Sequence, residues 1–355
     1  MPIMPFSAIQ DTGNQDNVRP ESITSDYLKY FHRKLLLLIF LIAAILLVAV
    51  LAISLGAYDI PVRDVLRALA GNADDTAGVV IANIRLPRVI AAVVCGWGLS
   101  LSGLSIQSLL KNPLGAPSTL GISQGAAFGA AAAIVVFGAE TFSVTAFAFG
   151  GALAATAIVL VLSGLKRLSS EAVILAGVAL SSLFVSATIL IQYLATETEL
   201  AMVVFWTFGD VARSNWSEIG LMTGVVLLAS VYLTAIRWDL NALASGEEAA
   251  KGLGVNVNRI RVVGMAAAAL VAAIATAFLG VIAFIGLIAP HMARRLVGDD
   301  HRLLIPFSSV LGAFLLLTAD TVGKTVIGSG VLPVGVITSF LGAPMFLYLL
   351  VRGYR

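Results

Sequence analysis

Charge is scarce in this chain of 355 residues. Asp, Glu, Lys and Arg make up only 12% of it, where a soluble domain carries about 25%. So few charges cannot cover the exterior of a water-soluble protein of this length, and most soluble folds are excluded. Cysteine is scarcer still: the one thiol, Cys95, lies inside an apolar run. An intrachain disulfide framework and a cysteine metal cluster are therefore excluded. The three histidines, His32, His291 and His301, are too scattered to form a metal set, and no two carboxylates share a helix at acid–base spacing. A phosphate-binding loop is missing too. Gly323-Lys324-Thr325 imitates its end, but the glycine required five positions earlier is Thr318. No catalytic residue, metal site or cofactor is expected in the chain itself.

What the chain has in abundance is apolar sequence, with 59% hydrophobic residues and a mean hydropathy of +0.98. A helix needs about 20 residues at about 1.5 Å each to cross about 30 Å of hydrocarbon. Ten crossings fit, at 35–55, 89–109, 118–137, 143–164, 172–195, 217–236, 262–281, 283–297, 303–322 and 333–351. The eighth is short and contains Pro290. The first follows Lys29, Arg33 and Lys34, is too long for a signal-peptide core and precedes no cleavage pattern, so it reads as an uncleaved span. Residues 1–27 are polar and aperiodic, and are expected to form a disordered cytoplasmic extension ahead of a single transmembrane domain, 28–355.

With the N-terminus inside, the outer face receives Arg63, Arg67, Arg85, Arg88, Arg213 and Lys324. The other sixteen of the 22 basic residues fall inside, Arg19, Lys166, Arg167, Arg352 and Arg355 among them. The positive-inside rule selects this orientation, with both termini cytoplasmic. Five spans in each half make the halves opposite in direction, which is the plan of inverted-repeat transporters. The predicted fold is all-α and polytopic.

Small residues mark close helix contacts: Gly121, Gly125 and Gly129 recur every fourth position, as do Gly98 and Ser102. Asp320 is an ionisable residue near the outer end of the ninth span. It reads as a functional candidate, or as a structural group that bonds a neighbouring helix or pairs with Lys324 at i+4. Other span interiors hold almost no such residues, which argues against a proton or ion relay.

The inner loop 239–261 is the most informative. Ser245 and Glu248 have capping-box spacing, so a short helix is expected over 246–251, ending at Gly252 or Gly254, with a second turn near Asn258. Leu243, Ala249, Ala250 and Leu253 would face a surface that ought to be polar. That describes a knob for a partner protein or an amphipathic surface loop, and spacing alone does not choose between them.

Several ordered motifs resemble one family. They are Ile84-Arg85-Leu86-Pro87-Arg88, Lys111-Asn112-Pro113-Leu114, Leu120-Gly121-Ile122-Ser123 with Gly125-Ala126, and Gly246-Glu247 with Gly252-Leu253-Gly254. Further on come Gly286-Leu287-Ile288-Ala289-Pro290-His291 and Leu332-Pro333-Val334-Gly335-Val336 with Leu341-Gly342-Ala343-Pro344. Over residues 35 to 352 the chain is similar to the FecCD family, the ABC-importer permeases for iron chelates, haem and cobalamin.

The resemblance implies an ABC importer type II permease fold of ten spans in the inner (plasma) membrane, working as a homodimer. Its partners would be two cytoplasmic ATPase subunits, which bind the ATP and Mg, and a periplasmic or lipid-anchored binding protein; no nucleic acid is involved. Three site assignments follow from it. Arg85, Arg88 and Lys324 would dock the binding protein. The loop 241–259, with Leu243, Gly246, Glu247, Ala250, Gly252, Leu253 and Gly254, would couple to the ATPase. Asn112, Pro113 and Leu114 with Ser169 and Ser170 would form the cytoplasmic gate, although Ser170 reads equally as the cap of the fifth span. His291 reads as packing or helix-start geometry. Trp206, Gly209 and Trp216 resemble a family pattern, and membrane anchoring explains both tryptophans. The expected cargo is a ferric siderophore or similar iron chelate. The alternatives are haem, cobalamin or another metal chelate, and, in other classes, an ion-coupled carrier without an ATPase, a channel or a receptor.

Overall fold

The computed structural model describes residues 20–56, 59–71, 76–164, 169–326 and 332–351, and among them there is no strand. Helix α1 (Pro20–Ser54) leads to two short helices, α2 (Val62–Leu69) and α3 (Thr76–Val80), the latter continuing through a π turn at Ile81–Arg85 into α4 (Leu86–Leu110). A 3₁₀ turn at Pro117–Leu120 precedes α5 (Ile122–Phe137), followed by α6 (Thr141–Gly164) and α7 (Ser170–Leu194). After the short α8 (Glu197–Thr207) the second half opens with α9 (Trp216–Ala235) and two small helices, α10 (Arg237–Ala244) and α11 (Glu247–Gly252). It closes with α12 (Val257–Leu279), α13 (Ile285–Val297), α14 (His301–Val326) and α15 (Val334–Val351).

The ten apolar helices α1, α4–α7, α9 and α12–α15 fall on the ten expected spans. Seven are long and apolar enough to cross a membrane, and α5, α13 and α15 are shorter. The chain is a multi-pass membrane protein. Helix α1 starts at Pro20, so residues 20–27 are helical rather than part of the expected extension. Residues 1–19 lie outside the described residues, as do Lys166, Arg167, Arg352 and Arg355.

The packing shows the repeat that no motif revealed. Matching α4–α7 to α12–α15 makes the contacts recur: α5 packs on α6 as α13 packs on α14, and α4 meets α14 as α12 meets α6. Likewise α4 touches α13 as α12 touches α5, and α5 touches α7 as α13 touches α15. Each half thus clasps the other through its first and third members.

Helix α4 is the hub and is apolar almost all round, as a helix buried on every side must be. Its serines serve as interhelical donors: Ser100 Oγ to the Ser308 carbonyl at 2.7 Å, Ser102 Oγ to Ala268 at 2.7 Å and Ser105 Oγ to Gly264 at 3.3 Å. Gly96 faces Gly312, and Gly103 lies against the Gly286 backbone so closely that a β-carbon would fall on its carbonyl. In the α5 stripe, Gly125 and Gly129 press on Gly151 and Phe147 of α6, but Gly121 stands outside the helix as its left-handed entry residue at φ 75°. Gly103→Val should lower stability by at least about 1–3 kcal/mol, the usual cost of overpacking, read as a fall in the unfolding midpoint of detergent-purified protein. Gly164→Val, where a β-carbon meets nothing within 4 Å, should not.

Candidate functional site

The loop after α9 folds as two short helices. Gly246 joins them at φ 129°, a conformation that L side chains rarely adopt. Ser245 closes α10 and Gly246 stands at the N-cap of α11, so the expected Ser245–Glu248 capping box does not form. The helix nevertheless covers Glu247–Gly252, and Gly254 at φ 85° ends the turn. Asn256 then caps α12 by accepting the Arg259 N–H at 3.0 Å. Leu243 and Ala250 are buried and pin the loop to the bundle, so they do not face outward as expected. The exposed crest is Ala249, Gly252 and Leu253, with Leu253 73% exposed.

Glu247 sits between that crest and the interior. Its carboxylate accepts from Arg261 Nη2 at 3.4 Å and pairs with Lys251 at 3.7 Å. Arg261 is buried at the start of α12, and its Nε donates to the Leu109 carbonyl at 3.4 Å. Leu109 is the penultimate residue of α4, two positions before the loop 111–114, which is the predicted gate. There Lys111 turns left-handed at φ 48° and Asn112 Oδ1 accepts the Leu114 N–H at 2.8 Å, a compact Asx turn. A strut of Glu247, Arg261 and the Leu109 carbonyl therefore joins the small helix α11 to that loop.

The same two loops border one cavity of about 1250 Å³. Lys111, Asn112 and Pro113 line it from the α4 loop, Leu240, Ala244 and Ser245 from α10, and His291, Arg294 and Arg295 from α13. Buried Gln107 props its wall, giving its amide N–H to the Leu287 carbonyl at 3.2 Å and accepting from Arg294 at 2.6 Å. His291 belongs to that lining rather than to a helix start, since α13 begins at Ile285. Ser169 and Ser170 do not line the cavity. Ser169 caps α7 by accepting the Ala172 N–H at 3.3 Å, so the cap expected at Ser170 falls one residue earlier.

At the opposite end of the bundle, Asp320 of α14 is fully buried. Arg88 of α4 binds it from two nitrogens at 2.8–3.1 Å, and Lys324 reaches it at 3.0 Å. Asp210 lies 3.9 Å from the same guanidinium. Arg85 turns under the end of α1 and donates to the carbonyls of Ile53 and Ser54. The three cations predicted for docking are thus each about a tenth exposed and tied into the bundle. Gly209, at φ 65°, pinches the neighbouring loop against Val281, and the Trp216 indole N–H donates to the Ala82 carbonyl at 3.2 Å.

A profile of the FecCD transport family matches residues 43–352. The chain belongs to that family. An ABC transporter permease protein of Methanocaldococcus jannaschii is 47% identical over 345 residues, 94% of this chain and 99% of the relative. A Bacillus subtilis permease of an Fe(3+)-citrate import system is 34% identical over 321 residues, 90% of this chain and 95% of the relative. A Halobacterium salinarum permease of a cobalamin import system is 38% identical over 279 residues, 78% and 74% of the two chains. Among solved structures, an inward-facing ABC transporter described as of metal-chelate type superimposes with a TM-score of 0.79 at 31% identity, covering 90% of this chain and all of that one. The FecCD chain described here is accordingly a permease of an ABC importer, built on that transporter fold. ABC-importer permeases work with ATPases and substrate-binding proteins.

Proposed function

We propose that this chain carries a ferric siderophore or similar iron chelate into the cytoplasm, as a homodimer driven by two ATPase subunits seated on the α10–α11 loop. The observation that carries this reading is the strut from Glu247 through Arg261 to the Leu109 carbonyl. It gives a push on the exposed crest at Leu253 a short, stiff path to the loop 111–114, the proposed cytoplasmic gate with Ser169 and Ser170. The guanidinium end of that path is buried, while the Glu247 side chain is 41% exposed beside the crest.

The dimer face would be made by α7 and α15, whose outer sides expose Leu175, Tyr193, Phe340 and Val351; the cargo path would run between the two copies. Outside, Arg85, Arg88 and Lys324 are the proposed docking set. Arg88 and Lys324 are matched there by the Asp320 and Asp210 carboxylates, so with Arg85 counted the set carries one excess positive charge to steer an acidic binding protein. Both termini would then be cytoplasmic, the orientation that the distribution of basic residues supports.

The iron assignment rests on the named cargo of one relative, and a cobalamin importer stands beside it. Vesicles holding the dimer and its ATPase, given ATP and a panel of ferric siderophore, ferric citrate, haem and cobalamin with the binding protein present, decide between them. Uptake of a ferric chelate in preference to cobalamin supports the proposal; preferential cobalamin or haem uptake replaces it.

A further inference from the structure

A second groove, of about 460 Å³, opens where α1, the α9–α10 junction and the start of α14 meet. We propose that it binds the phosphate headgroup of an anionic phospholipid. Tyr30 and Phe31 line it from α1, Thr234 and Arg237 from the junction, and Asp300 and Arg302 from the entry to α14. Each group sits at the end of an apolar helix, the depth at which aromatic and basic side chains meet lipid phosphate.

The cations are arranged around an aromatic plate. Trp238 is 56% exposed, with the Arg302 guanidinium 5.1 Å from its ring and that of Arg237 5.9 Å away. Arg237 gives one N–H to the Thr234 carbonyl at 3.0 Å and has four more to offer a phosphate. Lys34 lies over Tyr30 at 5.0 Å, and Lys29 and Arg33 are exposed on the same stretch of α1.

One acid enters this cluster. Burial would raise the Asp300 carboxyl, but hydrogen bonds from Arg302 and Asn241 hold it at about 2, so it stays ionised and neutralises one arginine. Asp239 sits on α10 beside Arg237. Against these two acids stand Arg237, Arg302, Lys29, Arg33 and Lys34, so the net charge favours an anion.

The acyl chains have a place as well. Leu227, Val231 and Thr234 follow one face of α9 at i, i+4 and i+7, and Phe31, Leu35 and Ile39 follow one face of α1 at i, i+4 and i+8. All six are exposed. These two apolar lanes run from the groove along the hydrocarbon depth, as the tails of a lipid held there would. A free phosphate would use the cations and leave the lanes unexplained.

The test is lipid titration of the detergent-purified full chain by native mass spectrometry, with dioleoyl phosphatidylglycerol and dioleoyl phosphatidylcholine as probes. The wild type should retain phosphatidylglycerol preferentially. Arg237→Gln should weaken that binding about fivefold, the weight of one basic residue at a membrane surface, without changing phosphatidylcholine binding. Arg67→Gln, on the exposed helix α2, should change neither. Equal affinity for both lipids, or an Arg237→Gln variant with unchanged preference, overturns the proposal. Should that variant fail to fold, photo-crosslinking of a phosphatidylglycerol analogue to the wild type decides: crosslinks in 28–34 or 234–238 support the site, and crosslinks only elsewhere overturn it.

Discussion

Asp320→Asn should lower the unfolding free energy by about 3–5 kcal/mol, the cost of leaving buried charge without its partner. Asp320 is 0% exposed and receives two nitrogens of Arg88 and the ammonium of Lys324. Neutralising it leaves two cations, each only about a tenth exposed, with the more distant and partly exposed Asp210 carboxylate 3.9 Å from Arg88. An asparagine can accept hydrogen bonds from them through its carbonyl oxygen alone, and it cannot offset their charge. The triple replacement Asp320→Leu, Arg88→Met, Lys324→Met should cost clearly less than the single change, because a buried ion pair replaced whole by apolar groups loses little. Denaturant or thermal unfolding of the purified chain reads both. A single variant as stable as the wild type would show that the network contributes nothing to holding α4 against α14.

Arg261→Leu should cut ATP-driven cargo uptake roughly 2- to 30-fold, the range for residues that transmit coupling between sites. Assembly with the ATPase should persist, because the exposed crest at Leu253 is untouched. The leucine removes the one side chain that bonds both the Glu247 carboxylate and the Leu109 carbonyl. Arg261→Lys keeps the charge but cannot hold two partners in the fixed fork of a guanidinium, and should fall between. Co-purification of the ATPase and uptake measured in the same vesicles separate the two effects. Uptake equal to the wild type in Arg261→Leu would remove the strut from the mechanism.

The spans were legible because lipid leaves a plain mark: runs of apolar residues long enough to cross fell within a few residues of α1, α4–α7, α9 and α12–α15. The i+4 pair of Asp320 and Lys324 was legible for the same local reason. Arg88 was not, since its partner is 232 residues away, and an outward-facing motif concealed an inward-turned side chain. In the loop, spacing placed α11 well but misplaced its cap, because Gly246 at φ 129° takes the N-cap position while Ser245 ends α10. Helices of eight and six residues have too few turns to show which face is buried, so the burial of Leu243 in α10 and Ala250 in α11 is not legible in the spacing. Gln107 and Arg261 carry no spacing pattern, being single polar residues in apolar helices. The available signal was their position next to a predicted hydrocarbon segment, where a polar group is expected to hold a specific partner.

The central claim is that a separate ATPase drives this permease through the crest at Leu253. Uptake of the cargo into vesicles, measured side by side with an active ATPase and with one that binds but cannot hydrolyse ATP, tests it most directly. Uptake is expected with the first and none with the second, and none with either once Leu253 is changed to arginine. Undiminished uptake with the inactive ATPase would contradict it.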